Sequence, residues 1–231
     1  MSSSKIHELP LLDDLQVKSA ADRIFDVLYE GVVNLTLPPG EKLSEAEVST
    51  RLGVSRQPVR DAFYRLSKLG FIQMRPQRAT TVSPISKEAV LQAYFIRSAL
   101  EEQTMRVAAR TLTAEDIAGL DRLIDQQEAA IQTGEFAEFH ALDDRFHHDI
   151  CVAAGLEFVW NLVKDNKGHM DRVRYLSLSF GAPEAFSEHR AILAALRARD
   201  PEAAATAVRG HLGHIRQILD RLSIDRPGAF A

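Results

Sequence analysis

Histidine is unevenly placed in this chain of 231 residues: seven of its eight copies lie between 140 and 214, and only His7 falls outside. Asp143 and His147 stand four apart in ALDDRFHHDI, so a helix there carries both on one face, and His189 and His211 follow further along. One carboxylate and three imidazoles projected inward from three helices would bind a divalent transition metal and leave positions for water or a ligand. Asp144 with His148 offers the same spacing, and His214 could replace His211. Only one register of each pair can face a bundle interior. Phe146 and Ile150 share a face with Asp143 and His147, which favours that register and turns His148 toward the surface.

A second group has the chemistry of nucleic-acid recognition. Arg56, Gln57 and Arg60 fall within one turn near the start of a helix that follows SEAEVSTRLGVS, where a recognition helix reaches base edges in the major groove. Arginine can bond O6 and N7 of guanine in bidentate fashion, and glutamine can do the same for adenine. Between 51 and 78 the basic residues Arg51, Arg56, Arg60, Arg65, Lys68, Arg75 and Arg78 face the single acid Asp61. That local excess is the footprint of a phosphate-binding face.

The elements around these residues follow from capping and periodicity. A first helix over about 18–35 ends at Leu37-Pro-Pro-Gly40; Ser44 with Glu47 is a capping-box signature, Val48 and Leu52 share a face, and Gly53 stops the second helix. Ser55 can cap the third, with Pro58 in its first turn and Val59, Ala62, Phe63, Leu66 and Leu69 expected to pack inward. Phe71 to Met74 and Ala79 to Val82 read as two strands around the turn Pro76, Gln77 and Arg78. The layout is that of a winged helix-turn-helix. Beyond Ser83 the pattern is helical throughout, with helices expected over 86–111, 114–133, 135–154, 157–179, 183–199 and 201–222. The cuts fall at Thr113, Gly134, Gly155, Pro183 and Pro201. The expected fold is mainly α: a winged helix-turn-helix, then an antiparallel bundle of about six helices. The expected divisions are an arm over 1–16, the head over 17–82, a linker over 83–86, the helical domain over 87–223 and a tail over 224–231.

Composition limits what such a chain does. Residues 1–85 carry 11 basic and 10 acidic groups, while the remainder carries 17 and 22, so the acidic balance behind the net charge of −4 lies wholly in the helical part, which is unsuited to touching phosphate. Cys151 alone makes no internal disulfide, the opening MSSSKIHELP lacks the apolar core of a signal peptide, and no window has the roughly 18 apolar residues of a membrane span; a cytoplasmic protein is expected.

LSEAEVSTRLGVSRQPVRDAFYRLSKLGFI resembles the DNA-binding head of the GntR family of bacterial regulators. DRFHHDI, EHRAILAALRARD and RGHL resemble the helical effector domain of its FadR-type branch, FCD. Six helices would fit the VanR-like subgroup. The resemblance covers nearly the whole chain and implies a homodimeric repressor, bound to pseudo-palindromic operator DNA and modulated by a small organic acid. It also implies a metal, zinc foremost with nickel, manganese or iron as alternatives, held at the positions matching Asp143, His147, His189 and His211. In the head it implies base or phosphate contacts by Arg56 and Arg60 and a capping, phosphate-touching Ser55, with Gln57 and Arg78 beside them. Arg97, in FIRSALEEQ, matches an arginine near the family's pocket, with Glu101 and Glu102 as its possible partners. Arg172 and Arg174 lie between the ligands in sequence, where a guanidinium would suit an acid bridging to a metal. Ala46, Ala79 and Leu156 depart from the family's common Arg, Gly and Asn. The competing readings are a metal-dependent hydrolase or oxygenase with a fused head, for which only Asp144 offers itself as a base, and an architectural DNA-binding protein, which would leave the helical domain without use.

Overall fold

The computed structural model describes residues 18–75 and 78–231. The expected arm and the wing-turn residues Pro76 and Gln77 lie outside the described residues. Contacts divide the chain into two units, one built from residues up to 32 with 40–83, the other from 33–39 with 84–231.

The first unit contains α1 (Ala20–Val33), α2 (Glu45–Leu52) and α3 (Arg56–Lys68) with strands β1 (Lys42–Leu43), β2 (Ile72–Gln73) and β3 (Thr80–Val82). Ser44 starts α2 by accepting from the Glu47 amide at 3.4 Å, and Gly53 ends it with φ of 65°, a left-handed conformation that glycine adopts without Cβ strain. Val59, Ala62, Phe63 and Leu66 are fully buried, as their spacing requires. Leu69, expected to join them, is exposed: it caps the end of the helix, where the last turn has left the packed face. Ser55 occupies the N-cap position, but its hydroxyl makes no cap hydrogen bond. The sheet has the order β1-β3-β2, all antiparallel, with Leu43 opposite Thr80 and Ile72 opposite Val82. β1 was not legible in the sequence, because two residues cannot display an alternation.

The second unit contains α4 (Lys87–Thr111), α5 (Ala114–Thr133), α6 (Phe136–Ala153), α7 (Glu157–Asn166), α8 (Gly168–Arg197), α9 (Pro201–Gly213) and α10 (Ile215–Asp225). Thr113 and Asp116 form a reciprocal capping box at the start of α5, and Gly134 ends it with φ of 76°. Seven helices stand where six were expected. The break expected at Pro183 is absent: that proline lies inside α8, and buried Ser177, Ala182, His189 and Ile192 continue the inward face across it, so packing outweighs the lost backbone hydrogen bond. The chain breaks instead at Lys167 and at His214. One core, including Met105, Leu120, Phe146, Ile150, Ile192 and Leu212, runs through the unit. Residues 84–86 of the expected linker and the expected tail also belong to it. Ile85 is fully buried, its amide donates to the Ala229 carbonyl at 2.8 Å and its carbonyl accepts from Ala231 at 3.1 Å. Among the described residues no helix is long and apolar enough to cross a membrane.

Candidate metal centre and nucleic-acid face

α6 presents Asp143 and His147 one turn apart, α8 presents His189, and α9 presents His211 in its last turn. All four side chains are buried, and their ligand atoms lie within 4.8 Å of one another. The Nε2 atoms converge: His147 to His211 is 3.2 Å and His189 to His211 is 3.3 Å, with Asp143 Oδ1 3.4 Å from His189 Nε2.

The opposite nitrogens fix the tautomers. His147 Nδ1 lies 2.5 Å from the Glu101 carboxylate, His189 Nδ1 2.8 Å from Gln127 Oε1, and His211 Nδ1 3.0 Å from the Glu188 carboxylate. The Gln127 amide is oriented by its Nε2 donating to the Leu142 carbonyl at 3.2 Å, so its oxygen must face the imidazole. Each ring therefore presents Nδ1 to an acceptor, and with the proton on Nδ1 in the neutral state the three Nε2 lone pairs face one another. Burial, with repulsion from His211, holds His189 well below the usual histidine range, and burial also lowers His211 although Glu188 opposes it. Protonation is thus a poor remedy for the crowded lone pairs, whereas a cation at their focus satisfies all of them. Histidines tied back through Nδ1 are what a metal centre needs to set ring orientation and donor strength. Three imidazoles and a carboxylate suit zinc in charge and donor type, and nickel, manganese or iron on the same criteria.

Charge around these residues is organised by α4, α6 and α8. Arg97 pairs with Glu101 at 2.5 Å, and Arg174 pairs with Asp143 at 2.5 Å and with Asp144 and Asp171 at 3.2 Å each. Lys167 bonds Asp144 at 2.7 Å and also Asp171. Burial opposes ionisation of Glu101, yet Arg97 and His147 outweigh it and bring the carboxyl down to about 2. Burial likewise opposes Asp143, and Arg174 with the histidines holds it well below the usual carboxylate range. Glu101, Asp143, Asp144, Asp171 and Glu188 face three cations, Arg97, Lys167 and Arg174, so the cluster carries an excess of acid that a divalent cation would neutralise.

A cavity of about 60 Å³ adjoins Asp143 and His211, and Arg97, His140 and Arg174 line it with Met170 and Ile218 among its apolar walls. Arg172 is buried but does not line this cavity: two positions from Arg174, it points to a different side of α8. Burial pushes its guanidinium down to about 10. The alternative histidines are engaged elsewhere, His148 with Asp149 at 2.7 Å and His214 with Glu188 at 2.8 Å. Sequence reasoning missed Gln127, Glu188, Lys167 and His140. The carboxylate beside His189 was a usable signal for Glu188; an isolated glutamine gave none.

In the first unit Arg56, Gln57, Arg60 and Arg78 are exposed, as is Ser55. Arg60 pairs with Glu45 of α2 at 3.2 Å, and the Gln57 amide donates to Asp61 at 3.0 Å. These contacts orient the side chains across the start of α3 without burying them.

Known proteins match both units. The pattern described as "Bacterial regulatory proteins, gntR family" matches residues 20–82, and that described as "FCD domain" matches residues 92–214. Over 197 residues the chain is 38% identical to the HTH-type transcriptional repressor RspR of Escherichia coli K12, covering 84% of this chain and 86% of that protein. It is 30% identical over 199 residues to the probable D-xylose utilization operon transcriptional repressor of Paenarthrobacter nicotinovorans, covering 84% and 86%. The solved structure of E. coli McbR/YncC shares the fold, with a TM-score of 0.73 at 22% identity over 89% of this chain and 99% of that one. The chain belongs to the GntR family of bacterial regulatory proteins, with an FCD domain as its helical unit. It is a DNA-binding transcriptional regulator and not an enzyme.

Proposed function

We propose that this GntR-family regulator is a ligand-responsive repressor. Its FCD domain holds a divalent transition metal, zinc foremost, through Asp143, His147, His189 and His211, and a small organic acid bound beside it alters operator affinity. The observation that carries this reading is the convergence of three imidazole lone pairs and one carboxylate oxygen, with every opposite nitrogen tied back by Glu101, Gln127 or Glu188. When bound, the metal supplies a Lewis-acidic anchor for a carboxylate. Arg97 adds positive charge at the cavity wall, while Arg174 keeps Asp143 ionised and in place. Arg172 lies apart from the cavity and has no part in ligand contact in this reading. The cavity has room for roughly four to six waters, which suits a short acid. Two of the relatives are named as repressors.

On DNA, Arg56, Gln57 and Arg60 read the major groove from α3, and Ser55 and Arg78 touch the backbone. One short recognition helix reads too few base pairs for genomic specificity, so the protein acts as a homodimer on a pseudo-palindromic operator. Leu91 and Phe95, one turn apart and exposed on α4, offer apolar surface for such pairing. Ligand then shifts the balance between two states of the dimer.

His189→Ala tests the link. Metal content should fall and the operator response to organic acids should vanish, while DNA binding without ligand stays within about twofold, because the reading residues belong to the other unit. Full metal occupancy with a normal response would remove His189 from the site.

A further inference from the structure

Two almost completely buried side chains that line the cavity each carry a polar atom with no hydrogen-bond partner, while Asp143 Oδ2, likewise without one, is ion-paired with Arg174. The two atoms are Arg97 Nη2 and His140 Nε2. His140 stands one turn before Asp143 on α6, and its side chain is 6% exposed. Its ring stacks on Tyr175 with centroids 4.4 Å apart, and its nearest acid, Asp171 Oδ1, is 3.9 Å from Nε2, beyond hydrogen-bonding distance. A histidine kept only to fill space would bring an unsatisfied nitrogen into the interior, where phenylalanine would stack on Tyr175 without that cost. Both side chains line this one cavity, so a ligand held there is placed to complete both.

The two groups differ in charge. The Arg97 guanidinium is cationic and suits a carboxylate. Burial and the neighbouring Arg174 bring His140 down to about 4, so at neutral pH it offers a neutral imidazole and suits an uncharged oxygen. Asp144 and Asp171 act on that imidazole and already engage the neighbouring cations Arg174 and Lys167, so that end of the cavity is poorly suited to a second carboxylate.

We propose that His140 is the specificity-determining residue of the effector cavity, its Nε2 bonding a hydroxyl or carbonyl oxygen of the ligand. The effector is then a short monocarboxylic acid carrying a further uncharged oxygen. The inference rests on the acid-effector reading above. It adds a requirement that the metal and Arg97 do not impose, because both would accept a plain alkanoic acid equally well.

Three matched pairs of acids test it by calorimetry on the full-length, zinc-loaded protein: glycolate and acetate, lactate and propionate, 3-hydroxybutyrate and butyrate. The wild type should favour the hydroxylated member of at least one pair by on the order of tenfold, as expected for one buried hydrogen bond. His140→Phe should reduce that preference to within about twofold while zinc content and the affinity for the plain acid hold. His140→Gln, which keeps a polar group there, should retain part of the preference and covers the case in which the Phe variant fails to fold. Equal binding of both members in the wild type, or an undiminished preference in the folded Phe variant, overturns the role of His140 and leaves the effector reading standing. If none of the six acids binds, the effector reading itself fails and this inference fails with it.

Discussion

Arg60 in the head and Arg174 in the helical unit are both paired with carboxylates, yet their surroundings give the pairs opposite meanings. The Arg60 side chain is 59% exposed and its pair with Glu45 is a solvent-screened contact, worth about 0–1 kcal/mol, which a phosphate or base edge can displace. The Arg174 side chain is 14% exposed and is bonded to Asp143, Asp144 and Asp171 together, an arrangement that only breaks at the cost of stranding buried charge. The comparison teaches that exposure, more than residue type, separates a charge held ready for a macromolecule from one that fixes a site. The head leaves its candidate reading groups solvated, whereas the helical unit uses Arg97 and Arg174 to hold carboxylates in their ionised form.

The largest expected effect tests the buried side of this contrast. Arg174→Met leaves Asp143, Asp144 and Asp171 short of a counter-charge and should destabilise the helical unit by roughly 3–5 kcal/mol in urea unfolding of the metal-free protein. A loss below about 1 kcal/mol would show that this network is no tighter than a surface pair. Acid should act on the same groups. Glu101, lowered to about 2, contributes stability that is present above its unfolded value near 4.5 and is lost as pH falls toward 2. His140, lowered to about 4, favours the folded state above its unfolded value near 6.5 and loses that contribution as pH falls from 6.5 to 4. Both signs agree, so metal-free protein should lose about 2–3 kcal/mol between pH 7 and pH 4. Thermal melts across that range check it, and flat stability would contradict the buried charges.

Metal affinity sharpens the contrast further. Gln127→Leu removes the acceptor that orients His189, and zinc affinity by competition with a chelating dye should drop by about 10–100-fold, as for other outer-shell partners. An unchanged constant would mean that the imidazole is oriented by packing on Phe146 instead, whose ring lies 4.7 Å away. The smallest effect on stability belongs to the head. Arg60→Ala should change unfolding free energy by no more than about 0.5 kcal/mol while weakening operator binding by about 1–3 kcal/mol and relaxing preference at one base pair. Titration on operator and scrambled DNA, beside a melt, measures both; a loss of stability without a loss of binding would reverse the comparison.

What the sequence determined by itself is local. Capping residues placed α2 and α5, period-3.6 burial placed the inward face of α3, and the four-residue step from Asp143 to His147 put both on one buried face of α6. These follow from helix geometry, which needs no knowledge of what lies opposite. Tertiary structure alone decided the rest. Leu69 fits the apolar pattern but extends past the surface it was expected to meet, and Pro183 stays helical because both sides of it are packed. Arg174 reaches Asp143 while Arg172 faces away, a choice fixed by which side of α8 meets α6. Gln127, 62 residues from His189, carried no spacing signal at all, and neither did the pairing of Ile85 with the chain's end. Spacing along a helix tells which residues share a face, but which charge meets which partner depends on how separate helices dock, and no local period records that.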